Sequence, residues 1–177
     1  YTLMTLYTNL GEVEDGVKTL SPPHGLVDVR NANSLSVTEG EIKFDKVDEN
    51  TLSHKVWPKK HPSAGQPIVL RDYQVDTINK FLEDPQSLQE IATGAGKTII
   101  TATLSMMCEP YGRTIVIVPN KSLVTQTEED YVNLGLDVGV FFGDRKEFGH
   151  KHTICTWQSL NILEKNTKNG DISFTMQ

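Results

Sequence analysis

Cysteine is scarce in this sequence: Cys108 and Cys155 are the two in 177 residues, far apart and each in apolar surroundings. That pattern excludes a disulfide-stapled scaffold and suits reduced core thiols in an intracellular setting. Long apolar runs are missing too. No stretch of about 18 apolar residues and no signal-peptide core occurs, which argues against a spanning helix and against secretion. Positive charge is in deficit, with 17 Lys+Arg against 23 Asp+Glu and a formal charge of −6. The chain as a whole is therefore not built to coat nucleic acid, although a local basic groove depends only on where the charges sit. Internal repeats and low-complexity tracts are absent. What remains is ordinary globular composition, 37% apolar and 23% charged, in a length that can bury one substantial core with a small second unit. The first residue is Tyr1 rather than Met, so a fragment or processed piece is expected.

Residues 1–66 carry weak signals. Thr2–Tyr7 and Gly25–Arg30 are β-prone, and Ser34–Val47 reads as two alternating runs around Glu39-Gly40, a hairpin pattern. Ser21–His24 and Trp57–Pro67 are loops by composition, and the second has the proline, glycine and basic content of a linker. A small β-rich or α+β unit over 1–66 is expected, with a second unit over 67–177.

Ser87-Leu-Gln-Glu-Ile-Ala-Thr-Gly-Ala-Gly-Lys-Thr-Ile-Ile100 is the most informative stretch. Leu88–Ala92 is predicted to be a strand; Gly94 and Gly96 interrupt it, and Lys97-Thr98 open a helix. Without side chains, the two glycines let the backbone approach a phosphate and aim several N–H groups at it. The helix start adds the positive end of its dipole. Lys97 would supply a point charge to the β/γ-phosphates, and the Thr98 hydroxyl a ligand for Mg²⁺. The strict pattern G-x-x-x-x-G-K-[ST] is not met, because its first position falls on Ile91.

The flanking pattern alternates helix and strand. Tyr73, Ile78, Phe81 and Leu82 recur at helical spacing behind Asp72, a candidate N-cap. A helix is expected over 97–107, then the β-branched run Arg113–Pro119 as a strand buried on both faces of a parallel sheet. A helix over 121–134, strands at 137–142 and 153–156, and a helix from 158 complete the pattern. This is an α/β doubly wound sheet, with ligands expected beyond the carboxyl ends of its strands. His150-Lys-His152 lacks a Cys or acidic partner at metal-ligand spacing and reads as a solvated loop, and Glu128-Glu-Asp130 as the wet face of a helix.

Leu70-Arg-Asp-Tyr-Gln74, Ala92-Thr-Gly-Ala-Gly-Lys-Thr98, Ile115-Val-Ile-Val-Pro119 with Lys121-Ser-Leu-Val-Thr-Gln126, and Thr156-Trp-Gln158 recur in one family. In order and spacing they resemble the first RecA-like motor domain of superfamily 2 helicases, over roughly residues 68–160. Ile91 and Thr-Trp-Gln look most like the UvsW-like phage helicases and the branch of XPB-like helicases and type I–III restriction translocases. The resemblance implies a P-loop RecA-like sheet and ATP with Mg²⁺ as cofactors. It implies nucleotide contacts from Arg71, Tyr73, Gln74, Thr93, Gly94, Ala95, Gly96, Lys97 and Thr98, with Gln74 reading the adenine edge. Lys97 and Thr98 would be the catalytic pair, Thr98 holding the metal. Pro119, Asn120, Lys121, Thr156, Trp157 and Gln158 would contact a nucleic-acid backbone, DNA rather than RNA, without reading sequence. A monomer is the default for the oligomeric state, and the resemblance suggests the cytoplasm of a bacterial or phage-infected cell, with roles in recombination, repair or fork remodelling.

A hydrolysing motor also needs an acidic residue after a further apolar strand. Neither Asp144, behind Phe-Phe-Gly, nor Asp171, behind Lys-Asn-Gly, fits. The expectation is a piece that stops before that acidic motif, holds nucleotide and does not hydrolyse it alone. Two other classes stay open: another P-loop enzyme such as a GTPase, against which Asn120-Lys-Ser-Leu123 lacks the final Asp, and a non-catalytic nucleic-acid-binding module.

Overall fold

The computed structural model describes residues 6–8, 43–85 and 87–168, with side chains from 43 to 162. Its centre is a five-stranded sheet in the order β1-β2-β5-β3-β4. The strands are β1 (Leu6–Thr8), β2 (Thr114–Val118), β3 (Val138–Phe142), β4 (Arg145–Lys146) and β5 (His152–Thr156). β2, β5 and β3 run parallel, with Val118 opposite Thr156 and Phe141 opposite Cys155. β1 and β4 add antiparallel edges. Around the sheet lie α1 (Asp72–Glu83), α2 (Lys97–Cys108), α3 (Lys121–Asn133) and α4 (Trp157–Lys168).

β2 is β-branched at every position, TIVIV, which suits a pleated and shielded surface. Its Thr114, Val116 and Val118 are buried, whereas Ile115 and Ile117 are only partly so. Burial on both faces is thus only half met. The first face meets the main core with Ile78, Ile100 and Val124 of α1, α2 and α3. The second meets a smaller cluster with Phe141, Cys155 and Leu160 of α4. Burial pushes the Cys108 thiol to about 12 and the Cys155 thiol to about 11, so both are inert packing groups.

Three expectations change. Residues 88–92 form no strand, and Leu88 is 74% exposed. A strand exists only where a ladder partner satisfies its backbone, and no described residue supplies one. The Trp57–Pro67 stretch is a loop, as its composition indicated, and it closes on itself. Trp57 N–H donates to the Gln66 carbonyl at 3.0 Å, Gly65 N–H to the Trp57 carbonyl at 3.0 Å, and Val56 bridges Pro67. Upstream of it, Val47 and Leu52 pack into the same core as Ile68 and Leu70. At α1 the N-cap is Arg71 rather than Asp72, because the Gln74 amide reaches back to accept the Arg71 N–H at 2.9 Å. Of the hairpin read over Ser34–Val47, residues 34–42 lie outside the described residues and 43–47 pair with no strand. Gly25–Arg30 and Ser21–His24 also lie outside them.

Candidate nucleotide site and strand-end surface

The glycine-rich loop takes the conformation its sequence calls for. Gly94 and Gly96 lie at φ +79° and +81°, the left-handed region that side-chain-bearing residues avoid. Gly96 is the N-cap of α2, offers no side-chain oxygen, and α2 has no acidic residue in its first turn. The first-turn N–H groups therefore keep the helix-start capacity to bind an anion. Lys97 and Thr98 follow directly and are half-buried, while Thr93 is exposed.

What holds this loop is α1. The Gln74 amide nitrogen donates to the Ala95 carbonyl at 3.0 Å, and the Tyr73 hydroxyl donates to the same oxygen at 2.9 Å. Arg71 Nη1 donates to the Tyr73 hydroxyl at 3.3 Å. Gln74 is 6% exposed, and both ends of its amide are engaged, one with Ala95 and one with the Arg71 N–H. A Cβ on Gly96 would lie 2.5 Å from the Gln74 amide nitrogen. The helix carrying Arg71, Tyr73 and Gln74 and the loop over 93–98 are therefore one interlocked unit. Each end of the Gln74 amide keeps one further hydrogen-bonding position, a second N–H and a second lone pair.

A cavity of about 420 Å³ opens beside this unit, walled by Gly94, Gly96 and Thr98 together with Arg71, Tyr73 and Gln74. That volume falls in the range of small-molecule sites, about 300–1,000 Å³. Its remaining wall was not read from the sequence. Trp57 and His61 of the closed loop contribute, their rings stacked at 4.0 Å and 10°. So do Asp130 and Asn133 from the last turns of α3. The acidic triplet on α3 is not a uniformly wet face. Glu128 takes a bidentate pair from Arg145 at 2.7 and 2.8 Å, Glu129 pairs with Lys60 at 2.5 Å, and Asp130 is half-buried. Burial, with Glu129 adding repulsion, raises the Asp130 carboxyl above its ordinary value.

The nucleic-acid candidates gather elsewhere. Parallel pairing puts the carboxyl ends of β2, β5 and β3 side by side, so Pro119, Asn120 and Lys121 neighbour Trp157 and Gln158. Trp157 is 54% exposed and does not pack as a core aromatic. The turn after β3 joins them, with Lys121 Nζ 3.9 Å from where a Gly143 Cβ would stand. Two side chains are already occupied. The Asn120 side-chain oxygen accepts the Leu123 N–H at 2.9 Å as the α3 N-cap. Thr156 is buried, its hydroxyl against Ser159 Oγ at 2.9 Å.

His150 and His152 are not a solvated pair. His150 Nδ1 lies 2.8 Å from Asp137, and His152 is fully buried between Thr114 Oγ1 and Glu109 Oε1, each at 2.7 Å. Sequence patterning misses such a residue because its partners lie 38 and 43 positions away. Among the described residues no group of three His, Cys, Asp or Glu side chains could hold a metal ion, and no helix is long and apolar enough to cross a membrane.

The chain is similar to several known proteins. A putative DNA 3'-5' helicase Rad25 of Haloarcula marismortui is 32% identical over 97 residues, 52% of this chain and 15% of that protein. The DNA 3'-5' translocase XPB2 of Sulfurisphaera tokodaii is 28% identical over 99 residues, 55% of this chain and 21% of that protein. The chain thus spans less than a quarter of the length of these relatives. Among solved structures, the UvsW helicase of bacteriophage T4 superposes with a TM-score of 0.51 at 21% identity, covering 67% of this chain and 46% of that one, a likeness of fold. Residues 67–175 match the family described as the type III restriction enzyme, res subunit. With the glycine-rich loop, its interlocking helix and the parallel sheet in place, the chain belongs to that family, as part of a superfamily 2 helicase motor domain.

Proposed function

We propose that this chain is the N-terminal part of the RecA-like motor domain of an ATP-dependent DNA helicase or translocase, with residues 67–177 as its ATP-binding portion. The observation that carries this is the glycine-capped start of α2, held open by Tyr73 and Gln74 on the Ala95 carbonyl. An uncapped helix start with left-handed glycines fits a polyphosphate. Lys97 and Thr98 follow it as the charge and the hydroxyl that Mg²⁺-ATP requires; the metal neutralises developing charge on the phosphates when bound. The strand-end surface around Lys121 and Trp157 would take the phosphate backbone of DNA, giving binding that falls with salt.

Neither Asp144 nor Asp171 follows an apolar strand as a water-orienting acid would, so the chain alone is expected to bind nucleotide without turning it over. In the full-length protein, Lys97→Ala should abolish DNA-stimulated hydrolysis while circular dichroism stays native. Normal turnover by that variant would sink the phosphate-loop assignment. Robust DNA-stimulated hydrolysis by the 177-residue chain would overturn the inactivity claim.

A further inference from the structure

Glu128, Glu129 and Asp130 are consecutive on α3, yet only the first two have cationic partners, Arg145 and Lys60. Asp130 is half-buried, faces the cavity beside the phosphate loop, and has no side-chain hydrogen-bond partner among the described residues. The turn that carries it meets the 55–60 segment: Lys60 pairs with Glu129 at the surface, and Lys55 Nζ donates to the Leu134 carbonyl at the helix end. A carboxylate only accepts hydrogen bonds, so its complement is a ligand that donates them. The polar groups facing the cavity from α1 also hold the loop: Gln74 bonds Ala95 and Arg71, and Tyr73 donates to Ala95.

We infer that Asp130, with Asn133 beside it, forms the nucleoside end of this cavity, accepting a hydrogen bond from the ribose hydroxyls or the exocyclic amine of a bound purine nucleotide. The inference rests on the phosphate-loop reading, which places the phosphates at Gly94–Thr98. Its cost is visible in the free protein. Asp130 is a carboxyl kept half out of water beside Glu129, and both raise it above its ordinary value.

The test is equilibrium binding of Mg²⁺-ATP and of Mg²⁺-tripolyphosphate to the whole chain, wild type and Asp130→Asn, with urea unfolding of each. The asparagine should weaken ATP binding by about 10-fold to 100-fold, the loss expected for a hydrogen bond to a charged group. Tripolyphosphate binding should stay unchanged, and stability should be equal or higher. Repeating the comparison with 2′,3′-dideoxy-ATP and with inosine triphosphate identifies the donor: the penalty vanishes with whichever analogue lacks it. Equal ATP affinity in the two proteins overturns the inference. Parallel loss of both ligands also overturns it, since that marks a damaged pocket. If the wild-type chain binds neither probe, the phosphate-loop reading itself has failed, a distinguishable result.

Discussion

Substituting alanine for Gly96 should do more than strain one residue. The backbone there sits at φ +81°, where a side chain costs about 1–2 kcal/mol. The new Cβ would also stand 2.5 Å from the Gln74 amide nitrogen. That nitrogen ends a flexible side chain, but the amide is held at both ends, by Ala95 and by Arg71. Moving it gives up one or both bonds, about 1 kcal/mol each. Gly96→Ala should therefore cost about 2–4 kcal/mol in all. Gly94 provides the control: its φ is +79°, yet a Cβ there meets nothing within 4 Å. Gly94→Ala should show only the backbone cost, about 1–2 kcal/mol. Urea unfolding of Gly96→Ala, Gln74→Ala and the double variant closes a cycle, because the collision disappears once Gln74 is truncated. We expect a coupling of about 1–2 kcal/mol, against the 0.3–0.5 kcal/mol within which independent sites add. Equal costs at Gly94 and Gly96, or strict additivity with Gln74→Ala, would refute the interlock.

Two other perturbations probe the rest of the molecule. Trp157→Ala should change stability by less than about 0.5 kcal/mol, since the ring is 54% exposed, while weakening single-stranded DNA binding by the roughly 1–3 kcal/mol of a stacked base. Unaltered DNA affinity with a large stability loss would reverse its assignment to that surface. Arg145→Ala tests the acid limb of stability. Arg145, chiefly by its hydrogen bond, holds Glu147 below the ordinary 4.5, so this contribution is present above that pH and lost as pH falls through the depressed value. The variant should show a flatter decline of the urea midpoint on acidification, keeping the part due to Asp137, which His150 depresses. An unchanged slope would rule out that ion pair as a contributor.

The helices and parallel strands were legible because their signals are local. TIVIV declares a shielded strand by composition, and Tyr73, Ile78, Phe81 and Leu82 declare a helix by period. The left-handed turns of the glycine-rich loop were legible because that backbone requires glycine. The expected strand at 88–92 failed because pairing is a property of neighbours, not of the segment. Asp130 and His152 were misread for the same reason. A charged residue at helical spacing looks solvated until the Trp57–Ser63 loop folds over it, and a histidine in a loop-like stretch looks wet until Glu109 and Thr114 enclose it. Gln74 was singled out for its chemistry, yet its grip on Ala95 depends on a contact 21 residues away.

The attachment of the glycine loop to α1, rather than to a paired strand, has a kinetic consequence. Segments that open together exchange their amide hydrogens together, at a rate set by the weakest link holding them. Here two hydrogen bonds to the Ala95 carbonyl link α1 to the loop ahead of α2, while the parallel ladder of β2, β5 and β3 stands apart from that link. Amides of α1 and of the first turn of α2 should therefore lose protection as one cooperative group, ahead of the sheet. A bound polyphosphate would clamp that group shut, slowing its exchange while leaving the ladder almost untouched.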